Sequence, residues 1–286
     1  MNILSAKHTR LLILLARYKY LCTEQVHRLV YSDKTLRACQ QALEYLDRQG
    51  HIKRAKLPRS HNLNFGYLSY LTKQGLDVVK NEQQIDNCFY AKSLVTKPFS
   101  SINHYYHRKC LVDFQIKIDQ NVVHLPNVEL KTVLTEAGQK QVGKKHIIET
   151  KLFKGKLSII PDMIFVLRNV KTDVERVFMV EIDSGVEAIG GQLNVIPKGS
   201  LLYKYQMYEK FLQSNDWQKQ LETTAKTFQV LTITERETHL KTLTKRIAEN
   251  MEYPQQFLGS THKIAQQGNV FLERVLLSEN GWEKLL

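Results

Sequence analysis

The order of apolar periodicity and helix caps in the first eighty residues constrains this chain more than any other feature. Residues 8–18 (HTRLLILLARY) predict a short apolar helix. A second begins at Thr23, read as an N-cap before Glu24, and runs through Val26, Leu29 and Val30. A third opens at Ser32-Asp33 and runs to Arg48. It carries Leu36, Ala42, Leu43 and Leu46 at helical spacing, and Gly50 stands just past its end. Two β-rich halves, Ile52–Leu57 and Phe65–Leu71, then flank a polar tip of Pro, Arg, Ser, His and Asn, the pattern of a hairpin. Thr72 caps a further helix.

Three helices, a basic hairpin and a capped helix are the layout of a winged helix-turn-helix. In that fold the third helix enters the major groove and the wing touches phosphates or the minor groove. Lys34, Thr35, Arg37 and Gln40 or Gln41 fall in the first turns of the third helix, while Lys53, Arg54, Lys56 and Arg59 populate the wing. Lys and Arg neutralise phosphates, and Gln and Arg pair with base edges. A winged helix used for protein–protein contact is the alternative.

Charge favours DNA. The 286 residues hold 41 Lys and Arg against 28 Asp and Glu, a net +13. Twelve of those cations and only four acids lie in residues 1–60, so a fifth of the chain holds +8. Such a surplus draws polyanions. Cys22, Cys39, Cys88 and Cys110 are widely spaced without a CxxC, which reads as reduced thiols and excludes a disulfide framework or zinc site. The longest apolar run, Leu11 to Ala16, is too short to span a bilayer and lacks signal-peptide flanks, so a cytoplasmic protein without membrane insertion is expected.

Residues 81–103 lose periodicity. The chain therefore divides into a DNA-binding domain over 1–85, a linker over 86–102, an α/β (α+β) domain over 103–250 and a C-terminal extension over 251–286. In the second domain a helix is predicted over Asn103–Lys117, a strand around Val122–Lys131, a Gly/Lys-rich loop at Gly138–Lys145 and a strand ending near Ile160. Two apolar strands follow, Met163–Val170 and Arg176–Ile182, joined by a polar turn. Asp162 stands at the mouth of the first, and Glu181 and Asp183 close the second. Two residues apart on a strand, Glu181 and Asp183 face the same way. Three carboxylates meeting at one sheet end repel each other without a cation, and oxygen ligands suit Mg²⁺ or Mn²⁺. Acids that merely cap strand ends and solvate a loop are the plainer alternative.

This spacing resembles the PD-(D/E)xK nuclease superfamily, with a restriction-endonuclease-like core. Pro161-Asp162 matches its first half and Glu181-Ile182 its second, while Asp183 stands where the pattern has lysine. The following helix, LLYKYQMYEKFL, offers Lys204 to return to the site, with Tyr205 nearby. The winged helix, the E-x-D-x-G-x-E run at Glu181–Glu187 and the VLTITERE strand together resemble the bacterial replication-relaxation family, which includes the MobC-type mobilisation proteins of plasmids.

That resemblance implies a relaxase or relaxosome protein that recognises double-stranded DNA at an origin of transfer and nicks one strand. Asp162, Glu181 and Asp183 would hold the metal, and Lys204 would join them in catalysis. Other relaxosome proteins and a coupling protein are the implied partners. The alternative is a catalytically silent DNA-binding accessory or replication-control protein on a nuclease-like scaffold. Glu129 and Glu187 are further acids to place, and Tyr203, Tyr205 and Tyr208 are available hydroxyls. His104 and His107, three apart at a helix start, do not supply the His-hydrophobic-His strand of tyrosine relaxases, and Tyr105 and Tyr106 read as packing.

Overall fold

The structure, a computed structural model, describes residues 4–56, 67–83, 102–136, 138–142, 145–185, 187–190, 196–273 and 276–284. The wing tip with Arg59, Cys88 and nearly all of the 86–102 linker lie outside these residues. Packing divides the chain into Met1–Val112 and Asp113–Leu286.

The first unit runs α1 (Ala6–Tyr18), β1 (Tyr20–Cys22), α2 (Thr23–Val30), α3 (Leu36–Arg48), β2 (Ile52–Lys56), β3 (Tyr67–Leu71) and α4 (Lys73–Gln83). Its sheet is ordered β1-β3-β2, antiparallel throughout. This is a winged helix-turn-helix. Leu11, Leu12, Leu15, Val26, Cys39, Leu43, Leu46 and Ile52 are fully or almost fully buried and form its core, as the helical spacing requires. Thr72 caps α4 by accepting from the Gly75 amide at 3.1 Å.

Three local features depart from the sequence expectation. The third helix starts at Leu36, not at Ser32-Asp33. Thr35 is its cap and accepts from the Ala38 amide at 3.2 Å, while the Asp33 carboxylate is taken by Lys7 at 2.6 Å. Thr23 is the first residue of α2, not its cap; the Cys22 amide before it donates to Gln25 Oε1 at 2.9 Å. Strand β1 has three buried residues, too few for any periodicity, and exists through its pairing with β3, Leu21 opposite Ser69.

The second unit is built on a seven-stranded sheet ordered β14-β13-β12-β11-β10-β9-β4. The helix over Ile102–Val122 is α5, and the unit boundary falls within it. Strands β4 (Val128–Thr135), β9 (Met163–Asn169) and β10 (Glu175–Asp183) form an antiparallel meander. Between β4 and β9 stand two hairpins, β5–β6 (Gln139–Val142, Lys145–Ile148) and β7–β8 (Leu152–Lys154, Leu157–Ile159). The predicted loop over 138–145 is thus largely hairpin. Helices α6 (Leu201–Leu212) and α7 (Asp216–Leu221) lead to β11 (Phe228–Thr234), which lies parallel to β10.

The helix predicted to end at Lys117 continues to Val122, and the strand predicted from Val122 starts at Val128. Pro126 and Asn127, the latter at φ 60, break the chain between them. After α8 (Glu237–Asn250) come β12 (Phe257–Thr261), parallel to β11, then α9 (His262–Gln267), β13 (Leu276–Ser278) and β14 (Gly281–Glu283). Residues 251–286, set apart in the sequence as an extension, supply three strands of the main sheet. Every residue of β12 is buried. Gly259 packs tightly there: a Cβ would fall 2.4 Å from Leu240 Cδ1 and 3.3 Å from the Thr232 carbonyl.

One face of this sheet, with Val177, Met179 and Val230, packs on Leu202, Tyr205, Tyr208, Phe211 and Trp217 in a single apolar cluster. Because side chains alternate along a strand, Glu181 and Asp183 lie on that same face at the far end of β10.

Candidate functional site

In the first unit α3 buries Cys39, Leu43 and Leu46 and leaves Leu36, Arg37, Gln40, Gln41 and Glu44 exposed. Lys34 and Thr35 are exposed just before it, and Lys53 and Lys56 on β2. These residues offer cations and amides to a polyanion. Arg54 differs. Its side chain is only 7% exposed, lies 3.4 Å from Glu44 and covers the Tyr67 ring at 4.3 Å. It ties the wing strand to α3.

In the second unit the strand register assembles the acids. Met163 pairs with Val180, which sets Asp162 beside the end of β10. The Ile182 amide donates to Asp162 Oδ2 at 2.7 Å, and the Asp162 amide donates to the Val180 carbonyl at 3.0 Å. Glu181 pairs in register with Thr232 and Asp183 with Thr234. Asp162, Glu181 and Asp183 are all buried.

Helix α6 then covers Glu181. Lys204 and Tyr208, four residues apart and so on one helix face, both reach it: the Lys204 ammonium donates to Oε2 and the Tyr208 hydroxyl to Oε1. Asp183 has different partners. Its Oδ1 accepts from the Gly185 amide at 2.8 Å, and His239 Nε2 on α8 stands 2.6 Å from Oδ2.

The electrostatics follow from burial. Removal from water pushes the Glu181 carboxyl up to about 8; Lys204 opposes this and the charge of Asp162 adds to it. Burial works to lower the Lys204 ammonium, but Glu181 and Asp162 outweigh it and the net direction is up. A further cation beside Glu181 and Asp162 would favour their charged forms. A fourth acid lies nearby: Glu136, just past the end of β4, places a carboxylate oxygen within 4.8 Å of one of Asp162.

The remaining sequence candidates fall elsewhere. Glu129 pairs with Arg168 at 2.5 Å, toward the opposite end of the sheet, and Glu187 is exposed. Tyr205 and Tyr208 are fully buried, bonded to Thr232 and Glu181, and burial drives both hydroxyls upward. Tyr105 is buried. Glu136 and His239 escape the sequence reading. Tyr208 stands there only as an available hydroxyl, and the signal for its place at Glu181 is its spacing of four from Lys204.

No family model matches this chain, and no curated protein matches it in sequence. Among solved structures it is similar to the reduced form of MarR from E. coli, at 20% identity over 28% of this chain, with a TM-score of 0.24. The chain spans 56% of the length of MarR. It is also similar to Streptococcus pneumoniae FabT in complex with DNA, at 20% identity over 41% of this chain and 77% of FabT, TM-score 0.24. The adhesin competence repressor of Streptococcus pyogenes matches at 12% identity over 43% of this chain and 84% of its own, TM-score 0.23. Scores this low carry no argument; the winged helix is established by its element order and sheet. Among the described residues no helix is long and apolar enough to cross a membrane.

Proposed function

We propose that this chain binds double-stranded DNA through its winged helix and nicks one strand through its second unit, in a metal-dependent reaction. The setting that fits best is a relaxase or relaxosome protein at a plasmid or integrative-element origin of transfer. Lys204 carries the reading. The PD-(D/E)xK pattern needs a lysine beside its acids, the chain has Asp183 in that place, and a lysine from the next helix meets Glu181 instead. The order α5–β4–β9–β10–α6–β11, with two hairpins inserted, is the helix, three-strand, helix, strand order expected of such a core. DNA binding draws support from the exposed Lys34, Arg37, Gln41, Lys53 and Lys56.

Carboxylate oxygens such as those of Asp162, Glu136 and Glu181 suit Mg²⁺ or Mn²⁺. Asp162 and Glu181 would hold the ion, with Glu136 and Asp183 adjoining. When bound, the ion would supply Lewis-acid stabilisation of charge on a phosphodiester. Lys204 contributes a second positive charge at the same place. Tyr208 fixes Glu181 by donating to one of its oxygens, and the Ile182 amide fixes Asp162. Carboxylates oriented in this way need not rearrange to receive a cation.

One observation favours a second reading. Both oxygens of Glu181 already have partners, as a purely structural clamp between α6 and the sheet would require. The chain would then be a catalytically silent DNA-binding accessory or replication-control protein. Supercoiled plasmid carrying the cognate origin separates the two. Open circle formed with Mg²⁺ or Mn²⁺, stopped by EDTA and lost in Glu181→Ala, supports the nickase. Salt-sensitive binding without relaxation in either metal leaves the scaffold.

A further inference from the structure

The exposed face of α3 carries one residue that electrostatic attraction to DNA does not explain. Among the described residues of the first unit, Leu36 (44% exposed) and Tyr67 (37%) are the exposed large hydrophobics, and Tyr67 is covered by Arg54. Leu36 has no such cover. It is the first residue of the helix, and Lys34, Thr35, Arg37, Gln40 and Gln41 around it are all exposed. A single leucine ringed by cations and amides is too small a patch to dock an apolar protein surface. The exposed acids beside this face are paired, Asp33 with Lys7 at 2.6 Å and Glu44 with Arg54 at 3.4 Å, so the exposed Lys34 and Arg37 are left to draw a polyanion.

Spacing narrows the ligand. Leu36 and Gln40 are four residues apart, so their side chains are neighbours on one helix face, with Cβ atoms about 5–6 Å apart. In the major groove one base pair offers matching chemistry to an apolar group beside an amide. Adenine presents an N7 acceptor and an N6 donor, which an amide meets with two hydrogen bonds, and its thymine partner presents the C5-methyl group, the apolar feature of the groove. A G·C pair offers no methyl group.

Resting on the DNA-binding reading above, we infer that Leu36 and Gln40 together read an A·T base pair, Leu36 against the thymine methyl and Gln40 on the adenine edge. They are specificity-determining residues, distinct from Lys34, Lys53 and Lys56, whose charge draws phosphates.

The test uses the full chain and duplexes it selects from a randomised library, each thymine replaced in turn by deoxyuridine, which lacks only the methyl group. At one thymine or more the wild type should lose about fourfold in affinity, the value of one buried methyl-sized group. Leu36→Ala should lose a similar amount on the thymine duplex and nothing further on the uracil duplex. Gln40→Ala should be blind to 7-deazaadenine at the paired adenine, where the wild type is not. Both residues are exposed, so unchanged thermal melts verify the fold. Indifference of the wild type at every thymine, or an undiminished thymine preference in Leu36→Ala, overturns the inference while leaving DNA binding intact. Failure to bind any duplex overturns the DNA reading itself.

Discussion

His239 Nε2 on α8 lies 2.6 Å from Asp183 Oδ2, close enough for an ion pair but outside hydrogen-bonding alignment. Glu181, two residues earlier on the same face, is engaged by Lys204 and Tyr208. Adjacent acids on one strand thus have separate partners, and their substitutions should separate as well. On the nickase reading proposed above, Glu181→Gln should lower the rate by about 10²–10³, and Lys204→Ala by a similar factor, with Lys204→Arg keeping part of the rate. Asp183→Asn should cost less than about tenfold. Equal losses at 181 and 183 in single-turnover nicking would contradict this division.

Tyr208 donates to the buried Glu181 carboxyl, and removing the hydroxyl leaves that oxygen without its partner. Tyr208→Phe should cost roughly 1–3 kcal/mol in urea unfolding. A cost near zero would mean that Lys204 alone holds Glu181.

Acid should weaken the second unit through Glu175. Burial raises this carboxyl, but Lys131 at 2.5 Å, the Thr223 hydroxyl and the Thr224 amide overcome it and hold it at about 2. A lowered carboxyl stabilises the fold fully above its unfolded value of 4.5, and that contribution disappears as pH falls toward 2. The wild type should therefore lose more stability between about pH 6 and about pH 3 than Glu175→Gln does. Parallel pH profiles for the two proteins would refute the assignment.

Salt should distinguish the wing cations. Lys53→Ala or Lys56→Ala should each reduce the slope of log affinity against log salt by about 0.9, the signature of one phosphate contact. Arg54→Ala should act differently. It leaves Glu44 without its cation and uncovers Tyr67, so the melting temperature falls along with affinity. An Arg54 variant of unchanged stability and reduced salt slope would return that residue to the DNA interface.

At Gly259 a methyl group would meet Leu240 Cδ1 at 2.4 Å and the Thr232 carbonyl at 3.3 Å. Gly259→Ala should cost about 1–3 kcal/mol as overpacking, read as a lower urea midpoint. No change would mean that α8 moves away from β12 freely.

Much of the first unit was legible in the sequence because its signals are local. Helical spacing, Thr72 as a cap and the β-rich halves each act within a few residues, and α1, α2, α3, β2, β3 and α4 lie within a few residues of where those signals placed them. The start of α3 is ambiguous in the sequence because Ser32, Asp33 and Thr35 are all capping residues by type. The contact between Asp33 and Lys7, 26 residues apart, takes one of them out of the competition. The tail was illegible for a similar reason. Strand β12 has five buried residues and no alternation, and its pairing is with β11, far earlier in the chain.

By itself the sequence determined the carboxylates at the strand ends, since period-two alternation puts Glu181 and Asp183 on one face wherever the strand lies. It also determined where the cations of the first sixty residues cluster. Tertiary structure alone decided which partner each acid received. Lys204 and Tyr208 reach Glu181 because α6 packs across β10, and His239 reaches Asp183 because α8 follows the parallel strand β11. The proposed nuclease reading therefore turns on Lys204, a residue outside the sequence pattern, brought to Glu181 by packing of the apolar helix face. The physical reason is range: backbone geometry propagates over a few residues, whereas the pairing of buried charges is settled by elements that meet only in the folded chain.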